Sequence, residues 1–269
     1  MRRAAAVAAD PAAVPIKKVQ PMDLSFQLYS ARNFPPLDSV LAKLSELGYS
    51  QVEGFGGLFQ DVDALVSSLK ANNLTMPTAH IGLDQLMDTD ATLSIAEKVG
   101  IKTLYCPAIP REKWEQGEDD WKQLAETLGG LSRTYTAKGY GFGWHNHHFE
   151  FWPTASGALP MNILLDGAPD IEWEMDVAWV VRGQNDPRAW MDKFGDRITA
   201  VHVKDLAPEG ENSDEDGWAD VGHGVMNWNE LINDVTEKTK ARYFVAEHDN
   251  PADFERFASR SIATAKNWK

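Results

Sequence analysis

From Asp23 onward the apolar positions alternate between two periods. Leu24, Phe26 and Leu28 recur at every second position, the spacing of a strand with one buried face. Residues 38–47 then take a helical spacing that Gly48 ends. The alternation repeats along the chain. Strands are predicted at 23–29, 50–54, 74–81, 101–106, from Gly141 onward, and at 171–175, 198–203 and 242–246. Helices are predicted at 62–71, 91–99, 118–137, 161–165, 187–194, 228–235 and 252–265. In residues 118–137, Trp121, Leu124, Leu128 and Leu131 lie on one face. Ile198 to Val203 is mostly apolar and β-branched, as a parallel strand buried on both faces is. Residues 205–220 form a long acidic loop.

Strands that alternate with helices imply a parallel sheet, and eight such units close into a (β/α)8 TIM barrel. The competing arrangement, an open doubly wound sheet, wants a glycine-rich phosphate loop after its first strand. Here that strand runs into Ser30-Ala31-Arg32-Asn33, without a glycine, so the barrel is preferred. No composition break divides the chain. Residues 21–269 are read as one barrel domain, and residues 1–20 as a disordered leader.

A net charge of −14 argues against a nucleic-acid backbone or an anionic membrane as partner. No run of about 18 apolar residues is present, so no transmembrane helix is predicted. The single cysteine, Cys106, lies in an apolar run and reads as packing; one cysteine suits a reducing compartment. The protein is therefore read as cytoplasmic. An exported protein with a trimmed signal is the alternative, because Arg2 and Arg3 precede an Ala/Val run.

In such a barrel, chemistry gathers at the C-terminal ends of the strands. The polar residues there are Glu53, His80, the group from His145 to Glu150, Asp176, His202 with Lys204, and Glu247 with His248 and Asp249. Glu150, Asp176, His202 and Glu247 come from four consecutive strands and would stand side by side. Three carboxylates and an imidazole suit one divalent ion of intermediate hardness: Mn²⁺ first, with Mg²⁺, Co²⁺, Fe²⁺ or Zn²⁺ as alternatives. His202, flanked by Val201 and Val203, needs a partner, which is either a metal or a hydrogen bond within the core.

The chain resembles the sugar phosphate isomerase/epimerase superfamily, the xylose isomerase-like barrels that also include endonucleases for abasic sites. The resemblance runs from about Leu24 to Trp268. It rests on Gln27-Leu28-Tyr29-Ser30, His145-Asn146-His147 with Phe149-Glu150-Phe151, Met175-Asp176, Val201-His202-Val203-Lys204-Asp205, Gly222-His223-Gly224 before Trp228, and Val245-Ala246-Glu247-His248-Asp249. It implies one divalent ion held by Glu150, Asp176, His202 and Glu247. Many relatives carry the strand-five glutamate where His145 stands here, so His145 is the alternative ligand to Glu150. His223 stands where relatives often place a glutamate.

An ion held beside a carbonyl and a neighbouring hydroxyl polarises both and stabilises the enediolate left by proton loss. Glu150 and Glu247 are the expected acid–base pair. His80, His145, His147, Lys204 and His223 are the expected substrate contacts. The expected activity is a metal-dependent isomerase or epimerase on a keto- or aldo-sugar. The alternatives are a lyase or dehydratase on an oxidised (3-keto) glycoside or inositol derivative, and a non-catalytic sugar-binding barrel. An endonuclease would need a basic groove, which the charge opposes. Relatives often form dimers or tetramers, so a homo-oligomer is a further expectation.

Overall fold

A computed structural model describes residues 23–268; the leader predicted at residues 1–20 lies outside them. Seven strands come first: β1 (Leu24–Gln27), β2 (Gln51–Phe55), β3 (Thr75–His80), β4 (Thr103–Cys106), β5 (Gly141–His145), β6 (Glu172–Asp176) and β7 (Ile198–Val203). A small antiparallel hairpin, β8 (Asp205–Leu206) and β9 (Trp218–Ala219), precedes the last strand, β10 (Tyr243–Ala246). Strands β1 to β7 and β10 are all parallel and close into a barrel in which β1 pairs with both β2 and β10. The fold is the (β/α)8 barrel predicted from the alternation.

The helices are α1 (Leu37–Leu47), α2 (Val62–Ala71), α3 (Leu83–Met87), α4 (Thr89–Val99), α5 (Glu118–Thr136), α6 (Pro160–Gly167), α7 (Val177–Arg182), α8 (Pro187–Phe194), α9 (Trp228–Lys238) and α10 (Phe254–Ala265). The apolar core lies between barrel and helices. Phe26 of β1 packs on Phe257 of α10, Phe142 of β5 stacks on Tyr135 of α5, and Trp173 of β6 meets Trp190 of α8.

The inward positions of β1 to β7 include something else. Barrel interiors are usually filled by layers of Val, Ile and Leu. Here Gln27, Glu53, Thr78, His80, Tyr105, His145, Glu174 and His202 are buried, and several bond across the lumen between strands that are not neighbours. Tyr105 of β4 reaches Thr199 of β7 at 3.0 Å. That crossing needs space, and glycine supplies it: a Cβ on Gly143 would stand 2.3 Å from the Glu172 carbonyl oxygen and 2.9 Å from the Tyr105 ring. Gly143→Ala is expected to destabilise the protein by about 3 kcal/mol, the upper end for overpacking, because the clash is with backbone of the paired strand. Urea denaturation checks this; an unchanged midpoint would contradict so tight a fit.

Four short elements depart from the predicted pattern, one of them the unpredicted helix α3. Strand β5 ends at His145 rather than running on to Phe151, and Phe149–Phe151 is a 3-10 turn. Helix α7 begins directly at the end of β6, capped by the Asp176 carboxylate on the Trp179 N–H at 2.8 Å. The acidic loop at 205–220 folds back on itself as the β8–β9 hairpin.

Candidate metal centre

At the C-terminal end of the barrel two layers of ionisable side chains lie one below the other. The lower layer is a pair of carboxylates, Glu53 and Glu174. Glu174 Oε2 lies 2.5 Å from His80 Nε2, 3.1 Å from His145 Nδ1 and 3.3 Å from His202 Nε2. Glu53 Oε1 accepts from Gln27 Nε2 at 2.8 Å and faces His202 Nε2 at 2.7 Å. Both glutamates are inaccessible to solvent, but His202 and His80 overcome burial and hold the Glu174 carboxyl well below the usual range, so each Glu174 contact calls for a proton on the imidazole nitrogen that makes it.

The upper layer contains His145, Asp176, His202 and Glu247, each offering a donor atom within 4.8 Å of the others. His202 Nδ1 is 2.9 Å from Glu247 Oε2 and 3.9 Å from Asp176 Oδ2. Among the described residues Asp176 Oδ2 is buried and makes no hydrogen bond; the Lys204 ammonium stands off at 3.7 Å, beyond hydrogen-bond reach, which leaves room for a closer cation beside this oxygen. The lower layer, with His80, His145, Glu174 and His202, would also pass as a donor set, and it too has unpartnered oxygens, Glu53 Oε2 and Glu174 Oε1. His202 decides between them. A proton on Nε2 bonded to Glu53 and Glu174 leaves the Nδ1 lone pair for the upper layer, the usual arrangement in which a carboxylate fixes the tautomer of a ligating histidine. His145 and Glu247 of the upper set line the open cavity, as His80 and His145 of the lower set do, so access does not separate the two sets and the His202 tautomer carries the choice. The residues present therefore fit a single divalent cation.

Charge in this cluster is poorly balanced. Burial raises Asp176 to about 7 and nearby Glu247 adds to the rise, although Lys204 and His202 oppose it. Burial also disfavours ionised Glu247, but Lys204 and His202 overcome this and hold its carboxyl well below the usual range. Burial would deprotonate His202; Glu174, Glu247 and Glu53 together hold it protonated instead. A cation bound by Nδ1 would displace that proton. His145 is lowered to about 3, first by burial and then by His202 and His80, so it is neutral. Lys204 is fully buried, 2.6 Å from Asp249, 3.1 Å from Glu247 and 3.7 Å from Asp176, with its ammonium over the Trp218 and Trp179 rings.

Asp176, His202 and Glu247 thus come together as the sequence suggested, and His145 stands with them. Glu150 lies to one side. Its oxygens accept from Trp144 Nε1 at 3.0 Å and from the His147 N–H at 2.9 Å, and burial raises it to about 8. The cavity at the barrel mouth, about 400 Å³, is lined by His80, His145, His147, Glu247 and Asp249, with Tyr29 and Phe55 edge to face on its rim. Lys204 sits beneath Glu247 and Asp249. His223 is exposed on the turn at Gly222 and Gly224 and does not line the cavity. The motifs around that turn have a mechanical reason: the Asp205 carboxylate accepts from the N–H groups of Gly222 (2.8 Å), Gly224 (3.2 Å) and Met226 (2.9 Å). Glu174 and Gln27 were not among the expected site residues. The signal for Glu174 was present, since Glu172, Glu174 and Asp176 alternate and so share one face of β6.

The family profile described as a xylose isomerase-like TIM barrel matches residues 41–267. The chain belongs to this family. No curated protein matches this xylose isomerase-like barrel in sequence. Among solved structures it is similar to a sugar phosphate isomerase/epimerase from Parabacteroides distasonis, with TM-score 0.74 and 19% identity over 93% of this chain and 96% of that one. It is also similar to AsbF of Bacillus anthracis, a probable 3-DHS dehydratase, with TM-score 0.71 and 13% identity over 92% and 100% of the two chains. The IolI protein, solved with a zinc atom, gives TM-score 0.69 and 14% identity over 91% and 95%. At these identities the likeness is one of fold. Among the described residues no helix of this xylose isomerase-like barrel is long and apolar enough to cross a membrane.

Proposed function

We propose that this barrel is a divalent-metal-dependent isomerase or epimerase of a keto- or aldo-sugar. The observation that carries the proposal is the meeting of His145, Asp176, His202 and Glu247 below an open cavity, with Asp176 Oδ2 left unpartnered. With two imidazoles and two carboxylates in place of three carboxylates and one imidazole, the preference moves from Mn²⁺ toward Fe²⁺, Co²⁺ or Zn²⁺. When bound, the cation would polarise a carbonyl and its neighbouring hydroxyl.

The chain's own groups handle the proton. Glu247 lines the cavity and is held ionised by Lys204 and His202 despite its burial, so it can take the proton from the carbon next to the carbonyl. His147 also lines the cavity, and among the described residues its buried Nδ1 has no partner. Burial first, then His145 and Lys204, lower its pKa well below the usual histidine value and keep it neutral, which makes it a weak base and suits it to hold a substrate hydroxyl by hydrogen bonding. Glu150 holds the His147 backbone in place instead of reacting itself. The fixed tautomers of His145 and His202 keep both rings oriented without reorganisation.

A lyase shares the first step and differs in losing a substituent from the adjacent carbon. His80 favours keeping that reading: it lines the cavity, and although burial works against its charge, Glu53 and Glu174 raise its pKa, so it can protonate a leaving group. The test is metal uptake by the chelator-stripped chain, followed by incubation of the loaded protein with keto-sugars in deuterated water. Stoichiometric uptake and deuterium at the carbon next to the carbonyl are expected, and Glu247→Gln should lower the exchange rate by about 10²-fold or more. No ion taken up, or exchange undiminished in the variant, would reject the proposal. The products distinguish isomer from elimination.

A further inference from the structure

The cavity over the metal centre does not end at the barrel mouth. Gly82 and Ala108 also line a second cleft, about 570 Å³, between α3 and α5, which is larger than the roughly 400 Å³ mouth cavity itself. Gln116, at the far end of this cleft, also lines a third hollow of about 390 Å³. Shared lining residues place the second hollow beside the mouth cavity and the third beside the second, a trench of three adjoining sections.

The walls change in character along it. The middle section presents Gln85, Gln123, Asp84 and Asp120, amides and carboxylates that suit hydroxyl groups, and Lys113 is its one cation. A Cβ on Gly56 would stand 2.3 Å from Gln85 Oε1, so a bare glycine lets this amide lie where the first two sections meet. The third section has an aromatic wall. Trp152 is 40% exposed, although most indoles in this protein are buried, and its ring meets Trp114 at 6.5 Å. A flat exposed indole beside carboxylates and amides matches a pyranose ring, whose C–H face is apolar and whose edge carries hydroxyls. It does not match a phosphate, which the neighbouring Asp84, Asp120 and Glu115 would repel.

We propose that the substrate is a neutral glycoside of two or more rings: one ring over the metal centre, the next in the α3–α5 cleft, and Trp152 as the stacking platform for the distal ring. The inference rests on the sugar reading of the metal centre given above. It makes a free monosaccharide or a sugar phosphate a poorer ligand than an oligosaccharide.

Isothermal titration of the metal-supplemented full chain tests it, using neutral di- and trisaccharides of α and β linkage alongside their monosaccharides. At least one trisaccharide should bind ten or more times as tightly as its monosaccharide. Trp152→Ala should remove about tenfold of that advantage, or about 1.4 kcal/mol, and leave monosaccharide affinity unchanged. Gln123→Ala, in the middle section, should weaken di- and trisaccharides alike. Oligosaccharides no tighter than monosaccharides, or an advantage that survives both substitutions, would overturn the inference. Metal uptake and deuterium exchange report separately on the centre. Their failure alongside Trp152-dependent binding would reject the enzyme reading while keeping the trench.

Discussion

Asp176→Asn is expected to abolish metal binding while leaving the metal-free protein at least as stable as the parent. Among the described residues the second oxygen of Asp176 makes no hydrogen bond, and burial together with Glu247 raises its pKa to about 7 although Lys204 and His202 oppose the rise. Asparagine keeps the shape and an oxygen for the α7 N-cap on Trp179, so the helix start is retained. It removes a like charge from beside Glu247. In the parent, an ion at a hundred times its dissociation constant should add about 2.7 kcal/mol of stability. That corresponds to a rise in Tm of roughly 5–10 °C for a chain of this size. The variant should show no such rise with Mn²⁺, Co²⁺ or Zn²⁺, and its sugar-dependent exchange should fall by about 10²-fold or more. Thermal melts with and without metal measure both effects; an unchanged metal-induced shift would place the ion elsewhere.

The barrel itself was legible because eight repeats of one pattern leave few topologies open, and Val62–Ala71, Pro187–Phe194 and Ile198–Val203 have the predicted limits. What was lost is local. Val177 to Val180 follows β6 without a break and is apolar throughout, so periodicity cannot separate the end of a strand from a helix that begins on the next residue. The β8–β9 hairpin is two residues per strand, too short for any period to register. Its stability comes from the surroundings: Arg182 stacks on Trp218 at 3.3 Å.

The site divides along a similar line. Asp176, His202 and Glu247 end strands whose limits were clear, so their convergence followed from topology. The fourth position depended on where β5 stops. With the strand running on to Phe151, Glu150 points at the mouth; with the strand ending at His145, the chain turns and Glu150 folds back onto the His147 N–H. The choice between His145 and Glu150 was thus a question of strand length, which the His-Asn-His run could not answer. Glu174, and the part Glu53 plays, were hidden for another reason. Carboxylates in a barrel interior contradict the expectation of an apolar lumen, and only the register across the barrel shows that they serve His80, His145 and His202.

Lys204→Met should have the opposite effect to Asp176→Asn. Methionine keeps the apolar stem against Trp179 and Trp218 but removes the ammonium shared by Asp249, Glu247 and Asp176. Burial alone would lower the Lys204 pKa; those three carboxylates raise it above the ordinary lysine value, so the charge is held at neutral pH. Breaking a buried pair from one side costs about 3–5 kcal/mol, because the partner charges stay behind. The metal-free variant should therefore melt roughly 10 °C lower than the parent. Bound metal supplies positive charge next to the same carboxylates, so the gap should narrow in saturating Zn²⁺ or Mn²⁺, a recovery that loss of packing alone would not give. The double variant Lys204→Met/Asp176→Asn provides the internal check. It removes one charge of each sign from the cluster, so its metal-free stability should lie well above that of Lys204→Met alone while metal binding stays lost. Additive effects in that cycle would mean the two side chains are not coupled, and the charge imbalance that calls for a cation here would have to lie among Glu53, Glu174 and the histidines instead.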